Sequence, residues 1–89
     1  MGYQMYYSPQ ALDDWEMLKR LGRPSLVART RRLLKEISED PSGQVPPAKK
    51  LKGEMSGLYA RRLGLHHLLV YEVIDKMQAI KVVSISRRY

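Results

Sequence analysis

Cysteine is absent from the 89-residue chain, so disulfides and thiolate zinc sites are excluded and no oxidising compartment is called for. Long apolar runs are absent as well. The longest, Leu68-Leu69-Val70-Tyr71, falls far short of the roughly 20 residues that cross a bilayer, and the N-terminus lacks the basic-then-apolar layout of a signal peptide. A cytoplasmic protein without a membrane partner is the expectation. Paired carboxylates, a glycine-rich phosphate loop and a nucleophile elbow are missing too, and Glu54 is the sole carboxylate between Asp40 and Glu72. Acidic residues are scarce overall, nine against sixteen Lys and Arg, for a formal charge of +7.

What is present fits one domain spanning residues 1–89, with 44% hydrophobic residues and charges of mixed sign. Tyr3 to Tyr7 reads as a short strand. Ser8 is placed to cap a helix that opens at Pro9, carries Ala11, Leu12, Trp15, Leu18 and Leu21 at helical spacing, and stops at Gly22. Pro24 opens a second helix to about Glu39, its apolar stripe formed by Leu26, Val27, Thr30, Leu33, Leu34 and Ile37. Its basic residues, Arg23, Arg29, Arg31, Arg32 and Lys35, read as a solvated surface. Three of the five prolines fall between Asp40 and Lys50, where no regular element is expected. Strands follow at Leu58–Leu63, His67–Ile74 and Met77–Ser86, the last two joined tightly at Asp75-Lys76. The expected architecture is α+β, with an N-terminal strand and two-helix hairpin packed on a mainly antiparallel four-stranded sheet in the order β-α-α-β-β-β.

Charge is distributed unevenly along this order. Residues 1–40 carry a net +1, whereas residues 41–89 hold nine basic and three acidic residues, a net +6. That half suits a polyanion, either nucleic acid or an acidic protein. Strand alternation puts Arg62 on the face opposite Tyr59 and Leu63, and makes Leu69, Tyr71 and Val73 the helix-facing set of the next strand. With unbroken alternation, Arg62, Ser84, Ser86 and Arg88 share the open face. Adjacent His66 and His67 point apart on an extended chain and lack a third ligand, so no metal is expected.

Several segments carry a family likeness. Leu51-Lys52-Gly53-Glu54-Met55-Ser56-Gly57-Leu58-Tyr59-Ala60-Arg61-Arg62-Leu63, followed by His66-His67-Leu68-Leu69-Val70-Tyr71, resembles the pattern L-K-x-x-L-S-G-x-W-S-R-R-I…E-H-R-L-V-Y of the YoeB/Txe branch of the RelE/ParE toxin superfamily. Ala11-Leu12-Asp13-Asp14-Trp15, Asp40-Pro41 and the closing Arg87-Arg88-Tyr89 are similar to the same branch. Leu69 to Lys76 and Val82 to Ile85 are similar to RelE. The resemblance implies the RelE-like fold and a toxin of a type II toxin–antitoxin system. Its implied activity is cleavage of mRNA on the ribosome by attack of a ribose 2′-hydroxyl on the adjacent phosphate, without cofactor or metal.

Such chemistry needs a base for the hydroxyl, cations for the phosphorane, a proton donor for the 5′ oxygen and an aromatic ring for the splayed base. Carried over by position, the resemblance makes Arg62 and Arg88 phosphate clamps, Tyr89 a stacking or proton-transfer group, and Lys49 the residue at the family's glutamate position. Lys50, Lys52, Arg61, Arg87 and His67 are the accompanying RNA-binding set. Leu68 stands where the family has arginine, and Arg88 where it has histidine. The partners implied are a cognate acidic antitoxin, the ribosome and mRNA, in a homodimer or a toxin–antitoxin hetero-oligomer. A gyrase inhibitor of the ParE kind and a non-cutting ribosome- or antitoxin-binding module are the alternatives.

Overall fold

The computed structural model describes residues 2–41, 49–50, 58–64 and 67–85. They run β1 (Gln4–Tyr7), α1 (Pro9–Arg20), α2 (Pro24–Glu39), β2 (Lys49–Lys50), β3 (Leu58–Arg62), β4 (Leu68–Ile74) and β5 (Ala79–Ser84). The α+β order is the one expected, with two helices against one face of a sheet ordered β1-β5-β4-β3-β2. β1 runs parallel to β5, and the other neighbours are antiparallel. A parallel pair needs a long crossover, which α1, α2 and the intervening strands supply.

Local chemistry sets the helix starts. Ser8 is extended (φ −69°, ψ 160°) and its Oγ accepts from the Ala11 N–H, while Pro9 occupies the first helical turn. Gly22 ends the first helical segment with φ +67°, a left-handed turn that only glycine adopts without a Cβ penalty. Ala11 and Leu18 from α1 and Leu26, Leu33 and Ile37 from α2 bury against Leu63, Leu69, Tyr71, Ile80, Val82 and Ile85 of the sheet side. Leu12 and Leu21 depart from the expected stripe: Leu12 is 52% exposed and Leu21 also faces outward. Seven residues apart, Ala11 and Leu18 define a narrow contact line flanked by half-buried Trp15, and Leu12 lies one residue, about 100°, off it. Neither helix is long and apolar enough to cross a membrane.

Three sheet details differ from expectation. Lys49-Lys50 forms a two-residue strand, registered on Ala60 and Tyr59, inside the region expected to hold no regular element. The prolines that lack ladder donors precede it, whereas both lysines carry an N–H. The β4–β5 connection is a 3-10 turn over Asp75–Met77 closed by Gln78 in the left-handed region (φ 50°), so β5 begins at Ala79 rather than Met77. The third difference is a bulge. Tyr71 pairs with Val82 but Val70 pairs with Ser84, leaving Val83 as the extra residue of β5.

That bulge rewrites the face assignment. Before it, even-numbered Ile80 and Val82 pack under the helices; after it, odd-numbered Ile85 does. Unbroken alternation would put Ser84 under the helices with Val82. The inserted Val83 puts it on the open face instead, across from Val70. Ser84 and Arg62 do share a face, for the opposite reason to the one the sequence suggested. Ser86 and Arg88 lie outside the described residues.

Candidate active site

The open face is organised in rungs. Ala60, Val70 and Ser84 are consecutive cross-strand partners at its centre, all buried. The next rung towards the β3–β4 turn holds Arg62 opposite Leu68. Arg62 is exposed and makes no ion pair among the described residues. Directly opposed residues have Cβ atoms about 5 Å apart, so Leu68 presents an apolar flank to the Arg62 guanidinium.

The neighbouring arginine has a different environment. Arg61 alternates to the helix side, is only 6% exposed, and donates to Glu36 of α2 over 3.3 Å. Glu36 itself is half exposed. The resemblance makes Arg61 part of the RNA-binding set that accompanies the phosphate clamp Arg62, yet the fold separates the two onto opposite faces of the sheet. Beside Arg61, Tyr71 stacks on its cross-strand partner Tyr59 with ring centroids 5.7 Å apart. The Tyr71 hydroxyl donates to the Pro41 carbonyl at 2.6 Å. Burial pushes the Tyr71 hydroxyl up to about 12, against the opposing effect of the Arg61 cation.

His67 is also on the helix side. Its carbonyl accepts from the Leu63 N–H at 3.0 Å, closing the β3–β4 connection. Its side chain helps line a cavity of about 270 Å³ with Arg23, Ser25, Leu26, Arg29, Leu63 and Gly64 at the start of α2. Arg29 donates to the Leu63 carbonyl across this cavity at 2.8 Å. The structure thus brings His67 together with Arg23 and Arg29 around this cavity. Both arginines remain exposed, as expected of a solvated helix surface, and Arg29 in addition reaches the Leu63 carbonyl.

Of the remaining sequence candidates, Lys49 and Lys50 are described through their backbone register on β3. Lys52, Arg87, Arg88 and Tyr89 lie outside the described residues. Among the described residues the candidate site is therefore confined to β3, the β4 rung beside it and the bulged end of β5.

The family model of the YoeB-like toxin of bacterial type II toxin–antitoxin systems matches residues 7–89. The chain belongs to this family. The YoeB toxin of Mycobacterium bovis is 31% identical over 83 residues, covering 93% of this chain and 92% of the relative. Among solved structures, YoeB in the Staphylococcus aureus YoeB-YefM complex is 30% identical with a TM-score of 0.80, each chain covered in full. The Agrobacterium tumefaciens YoeB/ParE toxin has a TM-score of 0.86 at 24% identity, covering 97% of this chain and 99% of that one. At that identity the last comparison establishes the fold.

Within this YoeB-like toxin, sequence reasoning also misses two groups on the α1 side. Ser8 and Asp14 both bond to backbone atoms of the β5 bulge. The sequence marks Ser8 only as a helix cap and gives Asp14 no role of its own. Their signal lies in Ala11-Leu12-Asp13-Asp14-Trp15, a segment similar to the family but without an evident chemical role.

Proposed function

We propose that this YoeB-like toxin is a ribosome-dependent mRNA endoribonuclease held inactive by a cognate acidic antitoxin in the cytoplasm. The observation that carries the reading is Arg62: an exposed guanidinium without an ion-pair partner among the described residues, on the sheet face opposite the helices. In the reaction a ribose 2′-oxygen forms a bond to the adjacent phosphorus as the bond to the 5′ oxygen breaks. The 2′ proton goes to a base and the 5′ oxygen receives a proton, leaving a cyclic phosphate and a 5′-hydroxyl. Arg62 and Arg88 serve as cations for the phosphorane, where preorganised charge stabilises what develops in the transition state. Tyr89 stacks the splayed base or supplies the leaving-group proton. Lys49, Lys50 and Lys52 act as electrostatic groups beside the RNA, and Arg87 holds the backbone.

Two features support the partners. The net +6 of residues 41–89 gives a polyanion a surface to bind. The Staphylococcus aureus relative was solved in complex with YefM, which supports an antitoxin partner here. An acidic segment that folds on binding would neutralise that surface.

Primer extension on mRNA in a purified translation system tests the reading, with wild type, Arg62→Ala, Arg88→Ala and Tyr89→Ala compared. Discrete new 5′ ends in the decoding site that weaken about 100-fold in the variants are expected. Translation arrest by wild type without new ends would replace the nuclease with a binding module. Loss of gyrase supercoiling with mRNA intact would replace it with a gyrase inhibitor.

A further inference from the structure

We propose that Tyr6, Lys81 and Glu72 form a base subsite on the open face of the sheet, selective for a guanine that flanks the cut. The proposal rests on the endoribonuclease reading above and names a nucleotide which that site takes. The residues come from adjacent strands and share one rung: Tyr6 is registered on Lys81, and Lys81 on Glu72. Met5, Ile80, Val82, Tyr71 and Val73 pack in the core under the helices, so alternation turns Tyr6, Lys81 and Glu72 to the face that carries Arg62. Tyr6 is 47% exposed and Lys81 is exposed, while Glu72 is half-buried beside Leu58, its partner on β3. Along β4, Glu72 lies about 13 Å from Leu68, the partner of Arg62. The rung therefore meets a neighbouring nucleotide and not the phosphate at Arg62.

Opposite charges that face each other across neighbouring strands attract, yet Lys81 and Glu72 do not join. Among the described residues the ion pairs are Lys19–Glu16 and Arg61–Glu36. Both heads are left to a ligand that offers an acceptor beside donors within about one strand spacing, 5 Å. Guanine does so on its Watson–Crick edge: O6 accepts from the Lys81 ammonium, while N1–H and N2–H donate to the two Glu72 oxygens. Adenine and cytosine offer the carboxylate one amino group and uracil one imino N–H, so with them the second oxygen goes unpaired. Tyr6, two strand spacings or about 10 Å from Glu72, supplies the ring on which the base stacks. A contact to phosphate alone would be opposed by Glu72, and so would an acidic peptide. Base readout accounts for the carboxylate where backbone binding does not.

The test measures, by fluorescence anisotropy, binding of the full chain to oligo-uridine and to the same RNA carrying one central guanosine, adenosine or cytidine. Wild type is expected to hold the guanosine RNA about tenfold more tightly than the others. Glu72→Gln, whose side chain has a single acceptor oxygen, is expected to erase that preference. Loss of its negative charge should at the same time strengthen binding of oligo-uridine by about twofold. Lys81→Met is expected to weaken the guanosine RNA by about tenfold. Tyr6→Ala is expected to weaken every RNA by about tenfold, and Tyr6→Phe to stay within about twofold of wild type. Melting temperatures measured alongside separate lost binding from lost folding. Equal affinity for all the RNAs, binding to none, or a guanosine preference that survives Glu72→Gln overturns the proposal. So does a Glu72→Gln effect confined to affinity for an acidic antitoxin peptide, which would give the rung to the protein partner. Ribosome-dependent cleavage is scored separately. A guanosine preference lost in Glu72→Gln, with wild type cutting no mRNA, upholds the subsite and removes the nuclease reading. Discrete cleavage by a wild type without guanosine preference does the reverse.

Discussion

Two adjacent arginines show how far the surroundings, rather than residue type, set what a side chain does. Arg62 faces solvent beside Leu68, whereas Arg61 is buried against Glu36. Arg62→Ala should therefore remove about 100-fold of cleavage at unchanged melting temperature. Glu36→Ala should leave cleavage by the folded protein intact but cost about 1–3 kcal/mol in denaturant titration, since it strands the Arg61 charge; the figure is reduced because Glu36 is half exposed. Leu68→Arg tests the same rung from the other side. It restores the arginine of the family pattern opposite Arg62 and should raise kcat by about tenfold, at a stability cost below about 1 kcal/mol from the like-charge pair. No gain in cleavage would mean that Arg62 works without a partner on this rung. Tyr71 gives a pH signature. Its hydroxyl stays protonated to about 12 in the folded protein but ionises near 10 when unfolded. Between those values the unfolded chain has released the proton and the native one retains it, so stability falls as pH rises, by about 1.4 kcal/mol per unit. Tyr71→Phe should flatten that alkaline loss in urea titrations from pH 9 to 11. It should also cost about 1–3 kcal/mol at pH 7, because the buried Pro41 carbonyl loses its donor.

Whole elements were largely legible because each rests on a local signal. Ser8-Pro9 and Pro24 mark helix starts, the 26-30-33-37 stripe is helical in period, and Leu69-Tyr71 alternates as a strand should. Features that depend on distant partners were not legible. The Val83 bulge is set by Ser8 and Asp14 from another element more than 70 positions away, and nothing in Val82-Val83-Ser84-Ile85 announces it. Lys49-Lys50 becomes a strand only because Ala60 and Tyr59 offer it an edge. Leu12 shows the limit of periodicity: it fits an apolar stripe, but small Ala11 makes the contact instead. The β4–β5 turn offers an element-scale test. Gln78 adopts φ 50°, a conformation that costs a residue with a side chain about 1–2 kcal/mol, and its side-chain bond to the Asp75 carbonyl is exposed and long at 3.3 Å. Gln78→Gly should therefore stabilise the hairpin by about 0.5–1 kcal/mol, after the greater unfolded-state freedom of glycine is subtracted, and raise Tm by several degrees. A lowered Tm would show that the Gln78 side-chain bond outweighs backbone strain.

For the molecule as a whole the asymmetry of charge separates two surfaces that composition alone would merge. The α2 arginines are partly engaged within the fold, Arg29 on the Leu63 carbonyl and Arg31 over the Trp15 ring at 5.6 Å. Acidic neighbours bring residues 1–40 to a net of only +1, whereas residues 41–89 hold +6. If the second half carries the RNA, replacing Lys49, Lys50 and Lys52 together with alanine should weaken binding to mRNA-programmed ribosomes more than replacing Arg29, Arg31 and Arg32. Every phosphate left without its lysine lowers the slope of log K against log salt by roughly 0.7 for a single strand, so removing three cations predicts a slope shallower by about 2. The α2 triple variant should keep nearly the wild-type slope. Equilibrium binding across a salt range of about 50 to 200 mM KCl distinguishes the two. A shallower slope confined to the α2 variant would move the nucleic-acid surface from the C-terminal half to the helices.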